Sequence, residues 1–284
     1  SENYSYAKRS TEIDSNTGGI SLDISLFNSY QTPDDILPKI VLRGKAVKDK
    51  FGKLMELASE FALKPLFDEP ERLKKLLAEL KAKSEAMLSF RGHIIAIQRM
   101  LKPLSQLYHW IDITHGLGYY HFLSDLVSNM DSGIDEIIDE LNWIKKTFFT
   151  THNMIIGLTA DEDIIPSAVE KLGSFVDCVS TEAFAPVESH FAVRQYNEGI
   201  YAPVQVQFCA KGGNFFRKGY SYSGKLRVLN NILKNSYLYQ ELRVKGGAYG
   251  NMSDFTLGGY VFFVSYRDPN LRETLEIYNT IPEF

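Results

Sequence analysis

The spacing of apolar residues changes period several times along the chain, and each change predicts an element. Ile20, Leu22, Ile24 and Leu26 alternate with polar residues directly after Thr17-Gly18-Gly19, which predicts a half-buried strand. The residues before it, Ser1 to Ser10, are polar and read as a frayed lead-in. Phe51, Leu54, Leu57, Ala58 and Phe61 then fall at helical spacing, with a stop before Pro65. Pro70 suits the first turn of a second helix, whose apolar face of Leu73, Leu76, Leu77, Leu80, Met87 and Leu88 extends to about Leu101. Further helices are expected at about 104–128 and 133–148. A strand at His152–Thr159 and a short helix at about 162–174 follow.

Residues 177–200 scatter Pro, Glu and Gly without a period and read as a linker. Beyond them Val204, Val206 and Phe208 alternate as a strand, and Leu226, Leu229, Leu233 and Tyr237 mark a helix. Gly258-Gly259 between two apolar runs predicts a hairpin over 255–266, and a last helix starts near Asn270. Helices outnumber the strands and interrupt them, which is an α/β (α+β) pattern. The expected division is 1–176, a linker at 177–200, and 201–284.

Composition narrows the class. At 284 residues, 44% hydrophobic and 23% charged, this is ordinary globular material, not disordered or fibrous. Two cysteines, Cys178 and Cys209, cannot build a disulfide framework; a reducing compartment and buried, inert thiols are expected. No apolar run reaches the ~18 residues of a membrane span. A net charge of −4 argues against nucleic acid as a partner. Charge is nonetheless blocked. Lys39 to Lys83 holds 12 basic and 7 acidic residues, whereas Leu123 to Ile200 holds 4 basic and 14 acidic. Such blocks read as solvated faces.

Candidate chemistry is sparse. A zinc peptidase helix places two imidazoles one turn apart beside a carboxylate, as HExxH or HxxEH, and neither pattern occurs. His109, His115 and His121 are spaced by six, which rotates each about 120° from the last on a helix, and Gly116 and Gly118 interrupt the segment. No metal site is expected in this chain. GxSxG and phosphate-loop spacings are also missing: Lys211-Gly212-Gly213 and Lys245-Gly246-Gly247 read as tight turns. Asp161 and Asp163 read as favourable charges at a helix start.

One segment stands out, Tyr239-Gln240-Glu241-Leu242-Arg243-Val244-Lys245-Gly246-Gly247-Ala248-Tyr249-Gly250. A helix ending in cations, a glycine stop and an aromatic entering a strand explain most of it. They do not require Arg243 and Tyr249 six apart across a glycine turn, where both can serve one cleft.

With Ser265-Tyr266-Arg267-Asp268-Pro269-Asn270 after it, this segment resembles the C-terminal half of the presequence-protease subfamily of insulinase-type zinc peptidases. The pattern LRxKGGAYG, an apolar hairpin, then SYRDPN is specific to that subfamily, and Thr17-Gly18-Gly19-Ile20-Ser21 is similar to the TGGI element of its third domain. The resemblance implies two insulinase-type rolls, helices on a largely antiparallel sheet. The third domain would lack its opening strand and first helix, and the fourth would be truncated. It implies a peptidase that closes over a chamber and degrades short unfolded peptides. By the same resemblance, zinc would be held by HxxEH and a distant Glu in the N-terminal half of the same polypeptide, and this half on its own would be inactive. By motif position, Arg243 and Tyr249 would contact the substrate backbone and the oxyanion. A guanidinium and a phenol aimed at a developing oxyanion fit that task. Peptides and the N-terminal half are thus the expected partners, in a bacterial cytoplasm or else a mitochondrial matrix. A non-catalytic insulinase-fold subunit or scaffold is the alternative, to which Arg243 and Tyr249 would be superfluous.

Overall fold

The apolar run of β5 (Tyr260–Tyr266) is the centre of a three-stranded sheet, antiparallel to β3 (Ala210–Asn214) on one side and β4 (Gly250–Phe255) on the other. The computed structural model describes residues 1, 3–28, 32, 35–185, 190–192 and 197–284. Its contacts divide into two units, interleaved in sequence. One comprises Ser1–Ser25, Pro38–Leu77 and Ser128–Glu188; the other comprises Leu26–Leu37, Ala78–Val127 and Ser189–Phe284. Residues 186–189 and 193–196 of the expected linker lie outside the described residues. The mixture of helices with antiparallel pairing is α+β, as the pattern implied.

In the unit that contains β5, strand alternation sends successive side chains to opposite faces. Tyr260, Phe262 and Val264 pack with Ile97 and Leu101 of α4 (Gly92–Leu101). Phe263 packs on the other side with Leu233 of α8 (Gly224–Asn235), Leu242, Ala248 and Tyr278 of α9 (Arg272–Asn279). Both faces of a central strand are buried, so it shows no polar alternation. The β4–β5 turn falls at Thr256–Gly259, where the paired glycines predicted it.

In sequence before this sheet, α5 (Gln106–His115) stops at Gly116 and α6 (Leu117–Phe148) begins at once. The break belongs to Asp112, which is fully buried and accepts from Arg99 at 3.0 Å, Lys102 at 2.7 Å and the Gly118 amide at 3.3 Å. Burial pushes its carboxyl up, but the two cations outweigh that and hold it below the usual range. A Cβ on Gly118 would come within 2.7 Å of the carboxylate, so the approach needs glycine. The two helices expected at 104–128 and 133–148 are therefore divided at residue 116, and α6 runs unbroken to Phe148.

The other unit corrects three expectations. The polar lead-in is a helix, α1 (Tyr6–Asn16), capped by Ser5, whose hydroxyl accepts from the Lys8 amide. It is tied down ahead of its cap: Asn3 donates to Glu60 at 2.6 Å and the Tyr4 hydroxyl to Glu56 at 2.6 Å, both on α2 (Phe51–Ala62). The strand expected at His152–Thr159 is a short 3₁₀ turn and an extended run with Ile155 exposed. Asp163 pairs with Lys48 at 2.7 Å instead of entering the first turn of α7 (Ile165–Val176). Leu54, Leu57, Ala58 and Ala62 on one face of α2, with Ala168 of α7, supply most of the buried apolar positions there.

Three further differences concern other elements. The helix expected from Pro70 to about Leu101 is α3 (Pro70–Phe90) followed by α4, with Arg91 at the break. The strand expected around Val204–Phe208 reduces to one bridge, Gln207 with Asp268. A strand that sequence spacing did not predict, β2 (Ile36–Gly44), pairs with β1 (Ile20–Asn28).

Candidate functional site

After α8 the chain does not end in an ordinary helical turn. Tyr239–Lys245 winds as a π-helix, a wide turn often found at functional sites, with the Gly246 amide donating to the Glu241 carbonyl at 3.0 Å. The Gly247 amide then donates to the Arg243 carbonyl at 3.1 Å and the Ala248 amide to the Leu242 carbonyl at 2.9 Å, which closes the turn. This reversal needs a left-handed residue, and Gly247 supplies it at φ 77°.

Two buried residues fix where the turn points. Leu242 and Ala248 both enter the apolar cluster, so the residue following each faces out. Arg243 and Tyr249 are accordingly exposed, Tyr249 by 71%. The Arg243 guanidinium lies over the Tyr239 ring at 5.0 Å, and the Tyr249 ring meets Tyr266 edge-on at 5.9 Å. Among the described residues neither head group has a hydrogen-bond or ion-pair partner. Lys245, by contrast, is paired with Glu241 at 2.7 Å. The structure thus brings Arg243 and Tyr249 to the two sides of one hydrogen-bonded turn, with no hydrogen bond or cation–π contact joining their side chains.

The second motif holds that turn from behind. The Tyr249 amide donates to the Arg267 carbonyl at 3.3 Å, and the Asn270 side chain donates to the Gly246 carbonyl at 2.6 Å. Asp268, 1% exposed, accepts from the Asn270 amide at 2.9 Å and the Thr274 hydroxyl at 2.7 Å. Ser265 accepts from the Cys209 amide at 3.2 Å, and the Tyr278 hydroxyl donates to the Cys209 carbonyl at 3.2 Å. Burial, with Asp268 nearby, pushes the Cys209 thiol up to about 11, so it stays protonated and inert as expected. Cys178 corrects the other half of that expectation, because it is exposed.

Comparison with known proteins decides the family. Residues 1–126 match the peptidase-associated model of subfamily C of the M16 peptidases, and residues 197–284 match the PreP C-terminal domain. Protein HypA of Clostridium perfringens is 34% identical over 283 residues, covering 100% of this chain and 29% of that protein. Presequence protease 1, chloroplastic/mitochondrial, of Arabidopsis thaliana is 30% identical over 272 residues, covering 94% of this chain and 25% of that protein. The mitochondrial presequence protease of Yarrowia lipolytica is 28% identical over 275 residues, covering 93% and 27%. The chain belongs to the presequence-protease-like M16 peptidases. It spans less than a third of the length of these relatives.

M16 peptidases of this kind imply zinc, and the residues of this presequence-protease-like chain do not fit it. Among the described residues no group of three or more His, Cys, Asp or Glu side chains could hold a metal ion. The three evenly spaced histidines are occupied separately. His109 stacks on Phe191 at 3.6 Å, His115 shares a hydrogen bond with Thr114 at 2.7 Å, and His121 lies beside Tyr120. No helix among the described residues is long and apolar enough to cross a membrane. Sequence reasoning missed one residue beside the site, Tyr266, which touches Tyr249; its place in the SYRDPN motif was the available signal.

Proposed function

We propose that this chain is the zinc-free, substrate-contacting half of a zinc metalloendopeptidase that degrades short unfolded peptides inside a closed chamber. In this reading residues 1–176 form the third insulinase-type domain and 201–284 the opening of the fourth, joined across 177–200. The gap between the two family matches, after 126 and before 197, supports that division. The zinc belongs to the N-terminal half of the same polypeptide, and the present residues have no catalytic activity alone. A bacterial cytoplasm is the favoured compartment, with a mitochondrial matrix second.

The observation that carries the reading is the pair of donors, Arg243 and Tyr249, without hydrogen-bond or ion-pair partners among the described residues, on a turn held by Asn270 and the Arg267 carbonyl. Both would donate to the substrate backbone at the scissile bond. As the carbonyl oxygen gains negative charge, the phenol and the guanidinium stabilise it without having to reorganise. The planar guanidinium fork of Arg243 also suits the ground-state peptide backbone.

The test is steady-state cleavage of a short fluorogenic peptide by the full-length protein carrying Arg243→Ala or Tyr249→Phe. Each is expected to lower turnover about 10²-fold if its contact forms mainly in the transition state. Arg243→Ala should also raise KM. Thermal melting of both variants controls for folding. Near-normal cleavage by both would reduce the motif to a helix stop and favour the scaffold alternative.

A further inference from the structure

The sheet face that α4 covers is not covered to its end. Tyr260, Phe262 and Val264 pack against α4, but the next residue on that face of β5, Tyr266, is opposed across the ladder by Gly250, which offers no side chain. The gap is a cleft of about 420 Å³ lined by Phe90, Arg91, His93, Ile94, Met252 and Tyr266. Phe90 and Arg91 stand where α3 breaks into α4, so the helix break and the cross-strand glycine together create it.

We propose that this cleft is a substrate subsite that takes a bulky apolar side chain of the peptide, aromatic by preference, close to the bond that Arg243 and Tyr249 face. The inference rests on the reading of those two residues as peptide contacts. Continuity is the first argument. Tyr266 forms the cleft wall and meets Tyr249 at 5.9 Å on one side and His93 at 4.8 Å on the other, so a single aromatic layer runs from the candidate site into the cleft. The second argument is chemistry. Five of the six walls are apolar or aromatic, His93 included, and Phe90 is 70% exposed at the rim. Arg91 has no ion-pair partner among the described residues, which leaves its cation free to face an incoming ring.

The third argument is His93. Its Nδ1 is buried without a hydrogen-bond partner, and burial together with Arg91 holds the imidazole below its ordinary pKa. A neutral ring is a suitable wall for an apolar guest. The volume lies at the lower end of ligand clefts, about 300–1,000 Å³, and suits one large side chain, not a folded element.

The experiment compares kcat/KM of the full-length protein on matched peptides that carry Phe or Ala at each position flanking the cleaved bond. One position should favour Phe by about tenfold, the scale of discrimination that apolar subsites achieve. Ile94→Trp fills the cleft and should bring the Phe-to-Ala ratio towards one. Phe90→Ala, at an exposed position, should lower the ratio severalfold and remains informative if the tryptophan variant fails to fold. Tyr249→Phe should lower both peptides and keep the ratio. A ratio unchanged by both cleft variants, or no Phe preference at any position, overturns the subsite. Normal cleavage of both peptides by Tyr249→Phe and by Arg243→Ala alike overturns the parent reading instead.

Discussion

The two halves of the family motif sit side by side yet use their polar groups in opposite ways. In the turn from Arg243 to Tyr249 the two candidate head groups are exposed and, among the described residues, have no hydrogen-bond or ion-pair partner. In the turn from Ser265 to Asn270 the serine, aspartate and asparagine all bond inward, to Cys209, Thr274 and Gly246. Motif membership alone therefore does not mark a residue for chemistry. One turn is displayed and the other braces it through Ser265, Asp268 and Asn270; Arg267 of the bracing turn, exposed over the Tyr266 ring at 5.8 Å, stands outside that contrast.

The largest expected effect breaks the supporting turn. Asp268→Ala leaves the Asn270 amide and the Thr274 hydroxyl, itself 2% exposed, without their acceptor. Stranding such groups costs about 1–3 kcal/mol each, so a loss of about 3 kcal/mol in local stability is expected. Hydrogen exchange at the amides of β4 and β5 in the full-length protein measures it. Protection unchanged by the substitution would mean that the second turn does not hold the first.

The same contrast explains what could be read in the sequence. The β4–β5 hairpin was legible because Gly258-Gly259 splits two apolar runs, and α2 because its buried Leu54, Leu57 and Ala58 keep helical spacing. The run after His152 misled because apolar content predicts a strand only where a partner edge exists, and Ile155 is instead 89% exposed. Helix α1 was missed because it buries no residue at all; its only signal was the cap at Ser5. At the site, Arg243 and Tyr249 came from the motif. The cleft beside them could not, since its walls lie about 160 residues apart in the chain and are joined only by packing.

A smaller effect separates the shape of the displayed turn from its chemistry. Gly247→Ala introduces a Cβ that meets only Pro269, at an ordinary 3.7 Å, so crowding adds little. The cost comes from holding an alanine at φ 77°, about 1 kcal/mol. Exchange at the Ala248 and Tyr249 amides should rise accordingly, while the amides at the far end of β5 stay protected. A uniform loss along β5 would show that the turn and the sheet open as one cooperative unit.

The smallest expected effects belong to the head groups themselves. Arg243→Ala gives up an exposed guanidinium over the Tyr239 ring, worth about 0.5 kcal/mol. Tyr249→Phe keeps the ring against Tyr266 and removes a hydroxyl that has no partner among the described residues, so stability should change by less than about 0.5 kcal/mol. The same amides of β4 and β5 report both values. Small losses here beside a large loss of turnover would place the free energy of these two groups in binding and catalysis, since the fold would have lost nothing that explains it. A loss above about 1 kcal/mol for Tyr249→Phe would reveal a structural partner for the hydroxyl. The turnover of that variant would then report folding, and the contrast between the two turns would have to be drawn at Arg243 alone.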